Sequence, residues 1–123
     1  MSKKILVVDN EPRIVELLSK ILSREGMTVL STMNGEDCLK LAIENMPDLI
    51  ILDLLMPGMD GGTVATTLEE NPKTKDIPVI FLSGAISERE VAERGGKVGG
   101  REFLAKGSDI GDLVKAIKKT VGA

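Results

Sequence analysis

Asp48-Leu49-Ile50-Ile51-Leu52-Asp53-Leu54-Leu55-Met56-Pro57-Gly58-Met59-Asp60-Gly61-Gly62 is the stretch on which the reading of this chain turns. Four consecutive aliphatic residues, Leu49 to Leu52, suit a strand covered on both faces, as in the middle of a parallel sheet. Asp53 ends the run, and Leu54-Leu55-Met56 keep its surroundings apolar until Pro57-Gly58 turns the chain. A single carboxylate is thereby expected at the carboxyl end of a central strand, where open α/β sheets hold their ligands. Loop aspartates also routinely accept hydrogen bonds from nearby amides, so a functional reading of Asp53 depends on what converges with it.

The same grammar recurs on both sides. Ile5-Leu6-Val7-Val8 reads as a buried strand that ends in Asp9-Asn10-Glu11, after which Pro12 opens a helix. Ile14, Leu17, Leu18, Ile21 and Leu22 form its apolar stripe, and Gly26 stops it. Thr28-Val29-Leu30-Ser31 is a short second strand. Asn34-Gly35 starts a second helix whose stripe is Leu39, Ala42, Ile43 and Met46, and Pro47 ends it. Asp60-Gly61-Gly62 leads into a third helix weakened by the β-branched Thr63, Val64, Thr66 and Thr67 and closed at Asn71-Pro72.

Ile77-Pro78-Val79-Ile80-Phe81-Leu82 is a fourth strand ending at Ser83-Gly84. A fourth helix is expected from Ser87 to about Arg94, because the paired glycines Gly95-Gly96 disfavour its continuation. Gly95 to Gly100 is expected as a locally loose loop. Phe103-Leu104-Ala105 is a fifth strand ending in Lys106-Gly107, and Ser108 or Asp109 caps a last helix with Ile110, Leu113, Val114, Ile117 and Val121 inward. Strand and helix alternate five times over 123 residues without linker or repeat, which implies one α/β domain: a doubly wound parallel sheet with helices on both faces.

Composition narrows the function. A net charge of −3 and a pI near 5.0 argue against direct binding to nucleic acid or to an anionic membrane. The chain has no histidine, which excludes a histidine base or an internal phosphohistidine. Cys38 is the single cysteine; it cannot close an internal disulfide, and its helical spacing with Leu41 and Ala42 suits a core position. Neither a signal peptide nor an apolar run of membrane-spanning length is present, so a cytoplasmic protein is expected.

Asp9, Asn10, Asp53, Ser83 and Lys106 each follow directly on the apolar core of a strand. In a parallel sheet those ends point the same way, so five polar groups far apart in sequence are expected on one rim. Singly, each has an ordinary structural role as helix cap, turn former or solvated cation.

The segments Ile5 to Glu11, Leu52 to Gly61, Pro78 to Gly84 and Phe103 to Lys106 resemble, in order and spacing, the four signature segments of the response-regulator receiver domain. The resemblance implies a flavodoxin-like fold with five strands in order 2-1-3-4-5 and five helices. It implies a two-component signalling protein that takes a phosphoryl group from a sensor-kinase phosphohistidine onto Asp53, and that is an enzyme at most toward its own phosphorylation and dephosphorylation. Mg²⁺ or Mn²⁺ would be held by Asp9, Asn10, Asp53 and the backbone carbonyl of Leu55. Lys106 and Ser83 would contact the phosphoryl oxygens, with Gly84 leaving room for access. Ser83 and Phe103 would form the switch that alters a surface on the fourth helix, fifth strand and fifth helix for an output protein.

Two departures from the family pattern favour an alternative, a pseudo-receiver that binds partners without being phosphorylated. Asn10 stands where a second acidic residue is usual, and Gly107 where a proline with a cis peptide is usual. The Lys106–Gly107 peptide is accordingly expected to be trans. A flavin carrier of the same topology is disfavoured, since Asp9-Asn10-Glu11 repels a phosphate and no aromatic platform exists. No output domain follows the last helix, so the chain is expected either to work alone through protein contact or to be a piece of a longer regulator.

Overall fold

Parallel pairing organises the chain. In the computed structural model, β1 (Lys4–Val8) lies between β2 (Thr28–Thr32) and β3 (Leu49–Asp53). Next to β3 lies β4 (Val79–Ser83), and next to β4 lies β6 (Arg101–Ala105). The structure describes residues 2–54, 56, 58–84, 97–98, 101–106 and 109–122. The five strands expected from sequence therefore stand in the order 2-1-3-4-5, all parallel, in a flavodoxin-like α/β fold.

One strand was not anticipated. Lys97–Val98, expected as loop, forms a two-residue β5 that pairs antiparallel with β6, Lys97 opposite Glu102 and Val98 opposite Arg101. The reading as loop gave weight to the flanking glycines and too little to Lys97-Val98 itself, for which the exposed edge of β6 offers unpaired backbone groups. The glycines on either side and the helix expected from Ser87 to Arg94 lie outside the described residues, as do Leu55 and Gly107 with the peptide expected to be trans.

Four helices are described: α1 (Pro12–Arg24), α2 (Gly35–Asn45), α3 (Gly61–Glu70) and α4 (Ile110–Val121). Their ends follow local chemistry. Asn34 caps α2 by accepting from the Asp37 amide at 2.8 Å, and Asp60 caps α3 by accepting from Thr63 at 2.8 Å. Asp109 accepts from the Gly111 amide at 2.8 Å and starts α4. In the β-branched α3 the Thr66 hydroxyl donates to the Gly62 carbonyl and that of Thr67 to the Thr63 carbonyl, and the helix is held by burial of Val64, Ala65 and Leu68. The buried Thr74 hydroxyl then donates to the Leu68 carbonyl at 2.7 Å, a second bond to an oxygen that also accepts from the Asn71 amide at 3.3 Å.

The sheet is covered on both faces. Leu6, Val8, Ile50, Leu52 and Phe81 pack with Cys38 and Ala42 of α2 and Val64, Ala65 and Leu68 of α3. Ile5, Val7, Leu49, Ile51, Ile80 and Leu82 pack with Leu18 and Leu22 of α1 and Leu113, Ile117 and Val121 of α4. The stripe read on α2 is corrected by about one residue: Gly35, Cys38 and Ala42 are buried, whereas Ile43 and Met46 are 40% and 51% exposed. Close packing of α2 on α3 decides this, since a Cβ at Gly35 would meet Val64 Cγ2 at 2.6 Å and only the small-residue face fits there. Leu17 of α1, also expected inward, is 41% exposed. Among the described residues no helix is long and apolar enough to cross a membrane.

Candidate functional site

The carboxyl ends of β1, β3 and β4 and the turn after β6 build one rim. Each strand delivers its polar residue because its apolar run stops there. Asp9 follows Val8 and is fully buried; Asp53 ends β3 and is 3% exposed. The strand register sets Asp53 beside Leu82, and Ser83 beside Ala105, so that Lys106 follows immediately. The backbone fixes the corner further, as the Lys106 amide donates to the Ser83 carbonyl at 3.0 Å.

Lys106 is the hub. Its ammonium stands 3.2 and 3.1 Å from the two oxygens of Asp9, 3.5 Å from Asp53 Oδ2 and 2.6 Å from Glu11 Oε1. Its stem passes through an apolar wall with Ile14, Leu18, Leu82, Ile110 and Leu113. Burial of that kind lowers an ammonium pKa, but the hydrogen bonds to Glu11 and Asp9 and the charges of Asp9 and Asp53 outweigh it. The net result is a pKa above the ordinary 10.5. In turn, the hydrogen bond and charge of Lys106 hold the Glu11 carboxyl below its ordinary 4.5.

The rim thus joins Asp9, Asp53 and Lys106 as the sequence suggested, with Ser83 buried on the neighbouring strand end. Asn10 is exposed on the same rim. Phe103 points into the core and packs on Phe81, ring centroids 5.0 Å apart and tilted by 31°. Phe103 and Ala105 lie in the core cluster on the α2 and α3 face, and strand pairing puts Phe81 opposite Phe103 and Ser83 opposite Ala105. Glu11 was missed as a participant. The available signal was a glutamate at a helix start ahead of Pro12, a position that usually holds a shorter capping residue.

Two neighbouring features shape access. Gly61, at the start of α3, lies so close under the end of β3 that a Cβ would meet the Asp53 carbonyl oxygen at 2.4 Å. Its amide donates to the Leu54 carbonyl at 3.0 Å, which ties α3 to the residue after Asp53. Gly84 is exposed, and a Cβ there would touch the Lys106 stem at 3.7 Å.

A hard dication fits this donor set. Asp9 Oδ2 and Asp53 Oδ2 are buried and face the Lys106 ammonium at 3.1 and 3.5 Å. Two carboxylates with water for the remaining positions match Mg²⁺, which takes oxygen ligands and keeps several waters. Among the described residues no group of three or more acidic, cysteine or histidine side chains is placed to bind a metal, so an all-carboxylate cage is not what the rim offers.

Known proteins resemble this chain in sequence and fold. Residues 5–118 match the family described as the response regulator receiver domain. The response regulator PleD of Caulobacter vibrioides is 40% identical over 109 residues, 89% of this chain and 24% of PleD. The transcriptional regulatory protein SrrA of Staphylococcus aureus is 37% identical over 118 residues, 96% of this chain and 47% of SrrA. The chain thus spans a quarter to a half of the curated relatives it matches. Among solved structures, the response regulator TrrA of Thermotoga maritima in complex with Mg²⁺ and BeF superposes with a TM-score of 0.78 at 34% identity. That match covers 96% of this chain and 98% of the other. With the fold, the rim and these relatives in agreement, the chain belongs to the response-regulator receiver domains of two-component signalling.

Proposed function

We propose that residues 1–123 act as one cytoplasmic receiver domain that accepts a phosphoryl group on Asp53 from the phosphohistidine of a sensor histidine kinase or phosphotransfer protein. The observation that carries this is the Asp53 carboxylate itself, 3% exposed at the end of the central strand with an ammonium 3.5 Å from Oδ2. An Asp53 oxygen attacks phosphorus, the bond from phosphorus to the imidazole nitrogen breaks, and the imidazole leaves with the electron pair. The developing charge lies on the phosphoryl oxygens, so catalysis is positioning and electrostatics. Lys106 supplies a positive charge to the phosphoryl oxygens, and the Ser83 hydroxyl donates to one of them.

Asp9, Asp53, the Asn10 amide oxygen and the Leu55 carbonyl are the groups assigned to hold Mg²⁺ or Mn²⁺. When bound, the dication offsets the negative charge of the carboxylates and of the phosphoryl group. Movement of Ser83 toward the phosphoryl group draws on the strand pair that carries Phe103, whose ring then shifts. The output is a population shift in the surface around β6 and α4, together with the helix expected before β5, read by an output protein rather than by nucleic acid or membrane.

Incubation with acetyl phosphate and Mg²⁺, followed by intact-mass measurement, tests this reading. The parent should gain one phosphoryl group, with acetate leaving in place of imidazole, and Asp53→Asn should gain none. Undiminished metal-dependent labelling of Asp53→Asn would sink the assignment. An unlabelled parent would instead favour a phosphorylation-independent interaction module.

A further inference from the structure

Glu11 occupies the N-cap of α1, where Ser, Thr, Asp and Asn are favoured because a short side chain reaches the first open amides. Its side chain makes no such bond. Instead its own amide donates to Asp9 Oδ1 at 2.8 Å, which seats Glu11 beside the rim, and its carboxylate reaches Lys106, 95 residues away in sequence. At 2.6 Å this is the shortest contact the Lys106 ammonium makes with the three carboxylates around it; Asp9 stands at 3.1 Å and Asp53 at 3.5 Å. Glu11 is also the outermost of the three, its side chain 47% exposed against 1% for Asp9 and 3% for Asp53. Asn10, between Asp9 and Glu11 in the chain, is neutral and exposed, so the exposed charge that this segment presents to the ammonium is that of Glu11.

We propose that Glu11 is a positioning residue that anchors the Lys106 ammonium toward the solvent side of the rim, and that Lys106 must release Glu11 before it can hold the phosphoryl oxygens at Asp53. The second half rests on Asp53 being the phosphoacceptor; the first does not. Glu11 then sets the resting occupancy of the lysine and slows the acquisition of a phosphoryl group. Because the ion pair is partly exposed, its removal should shift the lysine's distribution only about two- to fivefold.

The test uses Glu11→Gln, which keeps the side-chain length and removes the charge, and Glu11→Asp, which keeps the charge and shortens the reach. Two readouts separate the halves of the proposal. The ¹⁵N signal of the Lys106 ammonium, identified by its loss in Lys106→Arg, reports anchoring without any phosphorylation. In the parent it should be protected from solvent exchange, and Glu11→Gln should weaken that protection. The rate of labelling by acetyl phosphate in saturating Mg²⁺ should rise about two- to fivefold in Glu11→Gln. Glu11→Asp should follow Glu11→Gln, because its carboxylate cannot span the distance. An unchanged Lys106 signal in Glu11→Gln overturns the anchor, and so does parent-like behaviour of Glu11→Asp, which would reduce Glu11 to a diffuse charge. Equal or slower labelling of Glu11→Gln overturns the gating step. A parent that takes up no phosphoryl group defeats the phosphoacceptor reading, and with it the gating step, while the ammonium signal still decides the anchor.

Discussion

Gly61→Ala should destabilise the protein and disturb Asp53 together, because the added methyl has no free space. The Cβ would lie 2.4 Å from the Asp53 carbonyl oxygen, 2.8 Å from Leu54 Cα and 3.1 Å from the Asp53 carbonyl carbon. All three are backbone atoms of the strand end, so no side-chain rotation relieves the clash; either β3 or the start of α3 must move. Overpacking of this kind costs about 1–3 kcal/mol. With three backbone contacts the upper part of that range, about 2–3 kcal/mol, applies, and alanine returns about 1 kcal/mol in helix propensity, which leaves a net loss of about 1–2 kcal/mol. For a chain of this length that corresponds to roughly 5–10 °C in Tm. Gly62→Ala is the matched control, one residue further into the same helix. There the Cβ meets only Asp60 Oδ1, the oxygen that caps α3, at 3.3 Å; a slight shift of that carboxylate is offset by the gain in helix propensity, so a change near zero is expected. Urea and thermal unfolding of both variants, with acetyl phosphate labelling alongside, measure the two consequences. Equal stability of Gly61→Ala and Gly62→Ala would refute the claim that backbone contact under Asp53 fixes the start of α3.

Asn10→Asp should tighten Mg²⁺ binding by about tenfold, since affinity for a hard cation follows ligand charge; titration showing no gain would remove Asn10 from the metal ligands. Phe103→Ala should cost about 3–4 kcal/mol, because the ring is buried against Phe81; a loss below about 1 kcal/mol in urea unfolding would show that the packing is not specific. Burial pushes the Cys38 thiol up to about 12, so the native protein at pH 8 should react with a thiol reagent only as fast as it unfolds. The Glu11–Lys106 pair should also mark the pH profile of stability. Glu11, lowered in the fold, contributes above 4.5 and loses its contribution as pH falls through the lowered value. Lys106, raised in the fold, contributes fully below 10.5 and loses its contribution as pH rises through the raised value. The stability advantage of the parent over Glu11→Gln should therefore be present at pH 7 and shrink on acidification below 4.5; an advantage that persists unchanged in acid would contradict the pairing.

Strands were legible where burial on both faces leaves no choice of residue type. Ile5 to Val8 and Leu49 to Leu52 are continuous aliphatic runs because each touches helices above and below the sheet. The rim followed from the same runs, since the first polar residue after each must lie at the strand end. Helix faces were less legible. On α2 the apolar residues Ile43 and Met46 suggested an inward stripe, but the face that packs on α3 is set by steric room at Gly35, which no hydrophobicity pattern records. Glu11 escaped for a related reason. Its partner is 95 residues away, and only the closure of β6 against β4 brings Lys106 within reach.

Charge balance sets the character of the resting site. Three carboxylates, from Asp9, Glu11 and Asp53, share one ammonium, leaving two negative charges in excess, and two of the three carboxylates, those of Asp9 and Asp53, are buried. Buried charge of one sign is costly unless compensated. The excess matches the charge of one divalent cation, and the ammonium's shortest contact is to the most exposed of the three carboxylates. On the proposed reading, arrival of a dication and a phosphoryl group replaces a tethered charge by a diffusible one at Asp9 and Asp53, and frees Lys106 for the phosphoryl oxygens. A site with an apolar residue in place of Glu11 would lack the outer resting place, and its lysine would be available to the phosphoryl oxygens at Asp53 without first releasing a partner carboxylate.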